Sequence, residues 1–199
     1  MTLKIAEIGM NHMGNEKYFF EYLKLLPKKL DGVTLQIPKK ETLSKSNLKC
    51  HLSDEKIIYY IKLLKKKFGL VGIATNNYEK IEMFSELNID FFKITSGLAT
   101  NIKFIKKVLK TRVKKVYLSL GFVSYKDTRR VLKNINKKKI SLIHTSFKKK
   151  LSEINLKKIT ILKDMFGLPV AYGNHSKHLN CIANSIFFEP CAIFFYVKL

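Results

Sequence analysis

The residues of this chain that could do chemistry recur at one kind of place, the end of a short apolar run. Glu7 stands between Ala6 and Ile8, and Asn11 and His12 follow it. Lys93 lies inside Phe91-Phe92-Lys93-Ile94-Thr95, with Ser96 and Gly97 next. Gln36, Thr75, Ser119, His144 and the sequence Asn174-His175-Ser176 close other runs. A charge in an apolar strand costs several kcal/mol unless it is paired or has a task. Glu7 therefore reads as an outward-facing side chain on a half-exposed strand or as a working carboxylate. Lys93 calls for an anion. The Ser96-Gly97 turn beside it can offer a hydroxyl and backbone N–H groups to a phosphate or carboxylate. Alternatively, the Lys93 stem snorkels to a rim.

Regularly spaced elements must carry these groups. β-Branched runs occur at 5–9, 33–37, 70–75, 91–95, 116–120, 140–145, 169–173 and 192–197, with starts roughly 20–30 residues apart, the spacing of strand–helix units. Helical patterns lie between them. One, at 56–64, opens with Ser53-Asp54-Glu55 as a cap; another, at 101–110, opens with Thr100; a third starts at Ser124 with Asp127 three residues on, a capping-box spacing. Gly69 and Gly167 follow helical stretches, where a left-handed cap needs no side chain. Eight strands and seven helices predict an α/β fold, a short (β/α)8 TIM barrel lacking its last helix, with chemistry at the carboxyl ends of the strands. A doubly wound open sheet is the alternative. No G-x-G-x-x-G or Walker loop follows any strand, which lowers the dinucleotide and nucleotide readings. Residues 1–199 are read as one domain, truncated at its C-terminus. A barrel ending at the eighth strand leaves apolar outer surface to be covered by association.

Composition narrows the function classes. The 199 residues are 46% hydrophobic and carry a net charge of +23, almost all of it Lys; Arg occurs only at 112, 129 and 130. Nucleic-acid readers favour Arg forks and aromatics among the cations. Here Lys recurs on nearly every predicted helix, the pattern of solvated faces and of a field that draws in small anions, so nucleic acid is not an expected partner. Cys50, Cys181 and Cys191 are odd in number and lack a CxxC pair, which suits a reduced, cytoplasmic chain. No signal peptide is evident at the N-terminus. The apolar stretch 181–197 is interrupted by Asn184, Ser185, Glu189 and Pro190 and makes a poor membrane span.

In order along the chain, seven segments resemble one family. Ile5 to Asn15 is similar to an opening A-E-I-G-x-N-H-x-G. Gly72 to Thr75 resembles a third-strand end. Phe92-Lys93-Ile94-Thr95-Ser96-Gly97, followed by Thr100-Asn101, is similar to K-I-x-S-G and a T-N helix start. Leu118-Ser119-Leu120-Gly121 resembles L-S-T-G, and Leu142-Ile143-His144-Thr145-Ser146 resembles L-L-H-C-T. Asn155-Leu156 through Phe166-Gly167-Leu168-Pro169-Val170 and Tyr172-Gly173-Asn174-His175-Ser176 complete the set. The chain is identified on these motifs as a member of the N-acetylneuraminate (sialic acid) synthase family, over the family's barrel. The resemblance implies condensation of phosphoenolpyruvate with an N-acetylated amino sugar such as N-acetylmannosamine, giving a nonulosonic acid. In that chemistry a manganese or magnesium ion polarises the open-chain aldehyde. The enol carbon attacks it, water adds to the resulting cationic carbon, and phosphate leaves. Glu7 and His175 would be catalytic, with His175 also a metal ligand. Gln36, Thr75, Lys93, Ser96, Gly97, Ser119 and His144 would bind substrate, and a second copy of the chain would be the partner in a homodimer.

Departures from the family pattern bear on activity. Thr34 stands where the family carries a second-strand Lys, Leu98 where a carboxylate faces the sugar, and Asn174 where an Asp precedes the histidine. The loop after His144 is shorter and reads Phe147-Lys148-Lys149-Lys150, and the eighth strand ends in Phe195-Tyr196-Val197-Lys198-Leu199 where the family has Glu-Lys-His. The family's C-terminal antifreeze-like domain is not expected within residues 1–199. A lone imidazole is a poor anchor for a hard cation, so metal binding should be weakened or lost, and little product is expected from phosphoenolpyruvate and N-acetylmannosamine with manganese. Two readings stay open: a synthase of this family, with Lys39, Lys40 or Lys198 as compensating residues, or a diverged or truncated paralogue that binds anions or a partner subunit without condensation.

Overall fold

The computed structural model describes residues 1–148 and 150–197. Lys198, named above, lies outside them. Eight parallel strands close in sequence order: β1 (Leu3–Ile8), β2 (Gly32–Ile37), β3 (Leu70–Thr75), β4 (Phe91–Ile94), β5 (Lys115–Ser119), β6 (Ile140–Ser146), β7 (Val170–Asn174) and β8 (Ala192–Tyr196). The seam joins β8 back to β1, with Leu3 opposite Ala192 and Glu7 opposite Tyr196. Seven α-helices lie between the strands: α1 (Glu16–Leu25), α2 (Asp54–Lys67), α3 (Ile81–Glu86), α4 (Ile102–Lys110), α5 (Tyr125–Lys133), α6 (Lys158–Phe166) and α7 (Leu179–Ser185). The barrel is therefore the fold, and the open-sheet alternative falls.

Alternation along each strand explains the two cores. Residues such as Ala6, Ile8, Val33, Leu35, Leu142 and Tyr172 face outward and pack with the helices. The inward set of Ile5, Phe91, Tyr117, Ile143, Ala171 and Phe194 fills the barrel. Three of these rings meet edge to face, with centroids 4.9 Å apart for Tyr117 and Phe194 and 5.4 Å for Phe91 and Tyr117, the geometry that aligns the positive rim of one ring with the negative face of the next. β3 makes room for them with Gly72, where a Cβ would approach the Phe91 ring to 2.1 Å.

Local signals set the helix starts. Ser53 accepts from the Lys56 amide. Ser124 accepts from the Asp127 amide at 3.0 Å and donates to its carboxylate at 2.7 Å. The cap of α4 is Asn101, which accepts from the Phe104 amide at 3.0 Å; Thr100 is one residue too early, because its neighbour's amide side chain reaches the open N–H. Gly167 is left-handed at φ 61. Gly69 is not, because α2 leaves through an extended Phe68 and passes straight into β3. At the seam, Ala6 and Ile8 are fully buried and Ile193 is 2% exposed, while Phe195 on the outer face of β8 and Val197 just after it are only partly buried. Large exposed apolar side chains include Leu179 on α7 and Ile186 and Phe187 just after it.

Candidate active site at the barrel mouth

Two residues beyond five of the interior core positions, the inward side chains become polar. Ile5 leads to Glu7, Phe91 to Lys93, Tyr117 to Ser119, Ile143 to Thr145 and Phe194 to Tyr196. Period-two alternation keeps these on the inner face, one layer nearer the carboxyl ends of the strands. Glu7 and Lys93 form an ion pair, with side chains only 1% and 5% exposed. The internal anion that Lys93 required is thus Glu7. The Lys93 ammonium also sits 5.3 Å from the centroid of Phe194 and 5.5 Å from that of Tyr196, where ring quadrupoles favour a cation. Burial, and then the Glu7 carboxylate, push the Tyr196 phenol well above its ordinary range.

At the ends of β4, β5 and β6 runs a row of hydroxyls. Ser96 and Ser119 oxygens lie 2.8 Å apart, Ser119 and Thr145 oxygens 2.7 Å apart, and the Gly121 amide donates to Ser96 at 3.0 Å. All three hydroxyl residues are buried. The row joins the ends of β4, β5 and β6, and its O–H groups suit the oxygens of a phosphate or carboxylate.

The other sequence-selected residues divide into two groups. Gln36 reaches the mouth: a Cβ on Gly9 would lie 3.3 Å from its amide oxygen and 3.2 Å from the Tyr196 ring. His175 is exposed at the rim, its ring 4.6 Å from Tyr196 and 4.5 Å from Phe147. Asn174 shapes that turn by accepting from the Tyr172 phenol at 3.0 Å and the Ser176 amide at 3.3 Å. Gly97 is an open rim position with nothing within 4 Å of a would-be Cβ. Thr75 and His144 fall on the helix-facing side of their strands. Thr75 donates to the Ile37 carbonyl at 2.6 Å and accepts from the Asn77 amide at 3.0 Å, which ties β2 to β3. His144 is buried beside Tyr172, and burial, with a smaller contribution from the Lys158 charge, lowers its pKa to about 4.

Near β1, Asn11 donates to the Val197 carbonyl and fastens the end of β8. His12 is buried, accepts from the Gly14 amide at 3.0 Å and is held by burial near a pKa of about 4. Gly14 is left-handed at φ 70, and a Cβ there would meet the Lys49 carbonyl oxygen at 1.6 Å. This stretch of the opening motif is a turn with a buried imidazole. Thr34 faces Glu7 across β1 and β2, and its buried hydroxyl has no hydrogen-bond partner. Leu98 packs against the outer core.

Thr145, Tyr196, Phe147 and Gly121 complete the site. Thr145 shares a strand end with His144, and parity, two residues on from Ile143 and Phe194, puts Thr145 and Tyr196 on the inner face. Phe147 and Gly121 come together through space, since a Cβ on Gly121 would lie 2.3 Å from the Phe147 ring.

The resemblance implies a divalent cation here. Among the described residues no three His, Cys, Asp or Glu side chains come together to hold one. Glu7 is engaged by Lys93, and His175 lies between two rings. Hard cations take several oxygen ligands, so the donor set present does not fit the metal. No helix among the described residues is long and apolar enough to cross a membrane.

Residues 24–188 match the model of the NeuB family. This chain belongs to that family. It is 28% identical over 221 aligned residues to the N,N'-diacetyllegionaminic acid synthase of Campylobacter jejuni subsp. jejuni, covering 96% of this chain and 66% of that protein. It is 31% identical over 189 residues to an uncharacterized protein of Methanocaldococcus jannaschii, covering 88% of this chain and 56% of the relative. The chain thus spans less than two thirds of the length of either. In structure it superposes on the N-acetylneuraminic acid synthetase of Leptospira borgpetersenii, solved in complex with citrate, with a TM-score of 0.87 at 20% identity, covering 99% of this chain and 73% of that one. At that identity the likeness speaks for the fold.

Proposed function

We propose that this NeuB-family barrel binds phosphoenolpyruvate at the Glu7–Lys93 mouth and joins it to an N-acylated amino sugar in nonulosonic acid biosynthesis. The observation that carries this reading is a buried ammonium, Lys93, and a buried Ser96–Ser119–Thr145 row, both on inward positions toward the carboxyl ends of the barrel strands. A desolvated cation with aligned hydroxyls holds an anion more tightly than a solvated surface lysine does. Glu7 orients Lys93 and is the carboxylate placed to accept a proton as water adds. The enol carbon forms the new C–C bond to the aldehyde carbon, whose oxygen takes up a proton; water adds to the resulting cationic carbon and yields a proton to Glu7; the C–O bond to phosphate then breaks, the added hydroxyl losing its proton to become the carbonyl. The three free thiols, Cys50, Cys181 and Cys191, suit a reducing compartment, and we assign the reaction to the cytoplasm.

A second reading is an anion-binding paralogue without turnover. It is favoured by the unpartnered Thr34 hydroxyl beside Glu7 and by the donor set that does not fit a cation. One experiment separates the two: calorimetric titration of phosphoenolpyruvate, followed by an assay for inorganic phosphate release that depends on added N-acetylmannosamine. Binding with sugar-dependent release would support the synthase. Binding without release favours the paralogue, and no binding overturns both.

A further inference from the structure

On the flank of the barrel, α1 and α2 bring aromatic and cationic side chains together in the open. Beneath the surface, Phe19 stacks on Tyr60 with centroids 3.6 Å apart and planes 11° apart. The Lys67 ammonium donates to the Leu23 carbonyl, so the two helices are fixed to each other. On the surface, Phe20 meets Tyr59 edge to face at 6.4 Å, and the rings remain 40% and 45% exposed. Residues three, four or seven apart share a helix face. That spacing puts Lys17 and Lys24 beside Phe20, and Lys56, Lys62 and Lys66 beside Tyr59, all five exposed.

These lysines are uncompensated. Glu16, Glu21 and Glu55 are the nearby acids in sequence, yet among the described residues none of the five ammoniums lies in an ion pair. Burial, and then the Lys28 charge, lower the pKa of Lys67 at the junction of the helices, a sign of like charges crowded together. On the other side of Tyr59, a cleft of about 510 Å3 opens between α2 and α3. Half-buried Ile58, Leu63 and Leu87 line it, and exposed Lys62 and Lys66 stand at its rim. Apolar lining under an ammonium rim suits a ligand with an anionic head and a hydrocarbon body.

The charges and rings choose among occupants. A free phosphate would leave the rings and the cleft uncovered. A second copy in a two-fold pair would set lysine against lysine. Nucleic-acid readers favour Arg, and α1 and α2 contain none. A phospholipid leaflet of negative surface potential offers phosphates to the lysines and an acyl boundary to Phe20 and Tyr59. We propose that the outer face of α1 and α2, with the cleft between α2 and α3, docks this chain on an anionic phospholipid surface. Barrel helices run alongside the strands, so a chain lying on this flank keeps its mouth open to solutes. The docking is independent of the chemistry at the mouth.

The test uses the full chain and sedimentation with two kinds of vesicle at roughly 0.15 M salt, one of phosphatidylcholine alone and one containing about a third phosphatidylglycerol. The native chain should sediment with the anionic vesicles and not with phosphatidylcholine. Tyr59→Ser should weaken binding about fivefold, and the double variant Lys62→Gln, Lys66→Gln at least about tenfold. Lys137→Gln with Lys138→Gln makes the same charge change at exposed positions between α5 and β6 and should weaken it less than about twofold. No binding to the anionic vesicles would overturn the proposal, as would equal losses in the two lysine variants. Native-like binding by Tyr59→Ser would also overturn it, leaving a diffuse attraction of the kind that nucleic acids and acidic proteins share.

Discussion

Glu7 on β1 and Lys93 on β4 form a buried ion pair although two strands separate them in the sheet. The contact crosses the barrel interior. Thr34, Gly72 and Ala74 are the inward residues of the intervening strands in register with this layer, and all three are small. A Lys at position 34, as in the family pattern, would compete for the Glu7 carboxylate. With Thr there, Lys93 holds it.

Breaking this pair from either side should be costly, because the remaining charge stays buried. Glu7→Gln and Lys93→Met are each expected to lose about 3–5 kcal/mol of stability. The double variant should lose clearly less than the sum. Urea denaturation of the four proteins measures the coupling, and additive losses would mean the two groups are solvated independently.

Thr34 carries a buried hydroxyl without a partner. Leaving such a group unsatisfied costs about 1–3 kcal/mol. Thr34→Val removes the hydroxyl at nearly constant shape, so it should raise stability by about 1 kcal/mol, or roughly 2–4 °C in Tm for a chain of this size. Calorimetric melting checks the sign; a lower Tm would show that the hydroxyl is satisfied by bound water.

Gly72 faces the Phe91 ring inside the barrel. Because the ring is walled in by Tyr117 and Phe194, Gly72→Ala cannot be relieved by a side-chain swing. A loss of at least about 1–3 kcal/mol is expected, read as a lower urea midpoint. An unchanged midpoint would mean that the interior aromatic layer is loosely packed.

His12 and His144 both have pKa values lowered from 6.5 to about 4 by burial. Between those limits the unfolded chain binds protons that the folded chain refuses. Stability therefore falls as pH drops from about 6.5 toward about 4 and is flat in this respect above 6.5, by ~1.4 kcal/mol per unit and histidine at most. His144→Asn should flatten the slope in that window, measured by urea titration at a series of pH values. An unchanged slope would place the proton uptake on other groups.

The alternating apolar runs made the barrel readable, since eight runs at strand–helix spacing leave few topologies, and Ser53, Ser124 and Gly167 mark their helix ends through chemistry local to a few residues. Thr100 and Gly69 misled because a cap depends on which side chain reaches an open N–H and on how the chain leaves the helix, which neighbouring residues decide. At the site, Glu7, Lys93 and Ser119 could be read as strand-end polar residues, but their mutual contacts could not. Lys93 asked for an anion, and only closure of the barrel brings Glu7 to it. Period-two parity separates Thr145 from His144 and Ala74 from Thr75 once the inward face is known; hydropathy alone does not choose that face when both sides are buried. The Phe147–Gly121 contact joins two loops and has no sequence signature.

The claim that the barrel mouth is an anion site is tested most directly by titrating phosphoenolpyruvate into the native chain and into Ser119→Ala, which spares the Glu7–Lys93 pair, with Lys66→Ala as a control on the exposed face of α2. The account predicts that Ser119→Ala weakens binding about tenfold, the effect of one lost charge-assisted hydrogen bond, while Lys66→Ala changes it less than about twofold. Equal losses in the two variants, or binding that tracks only the number of lysines, would contradict it.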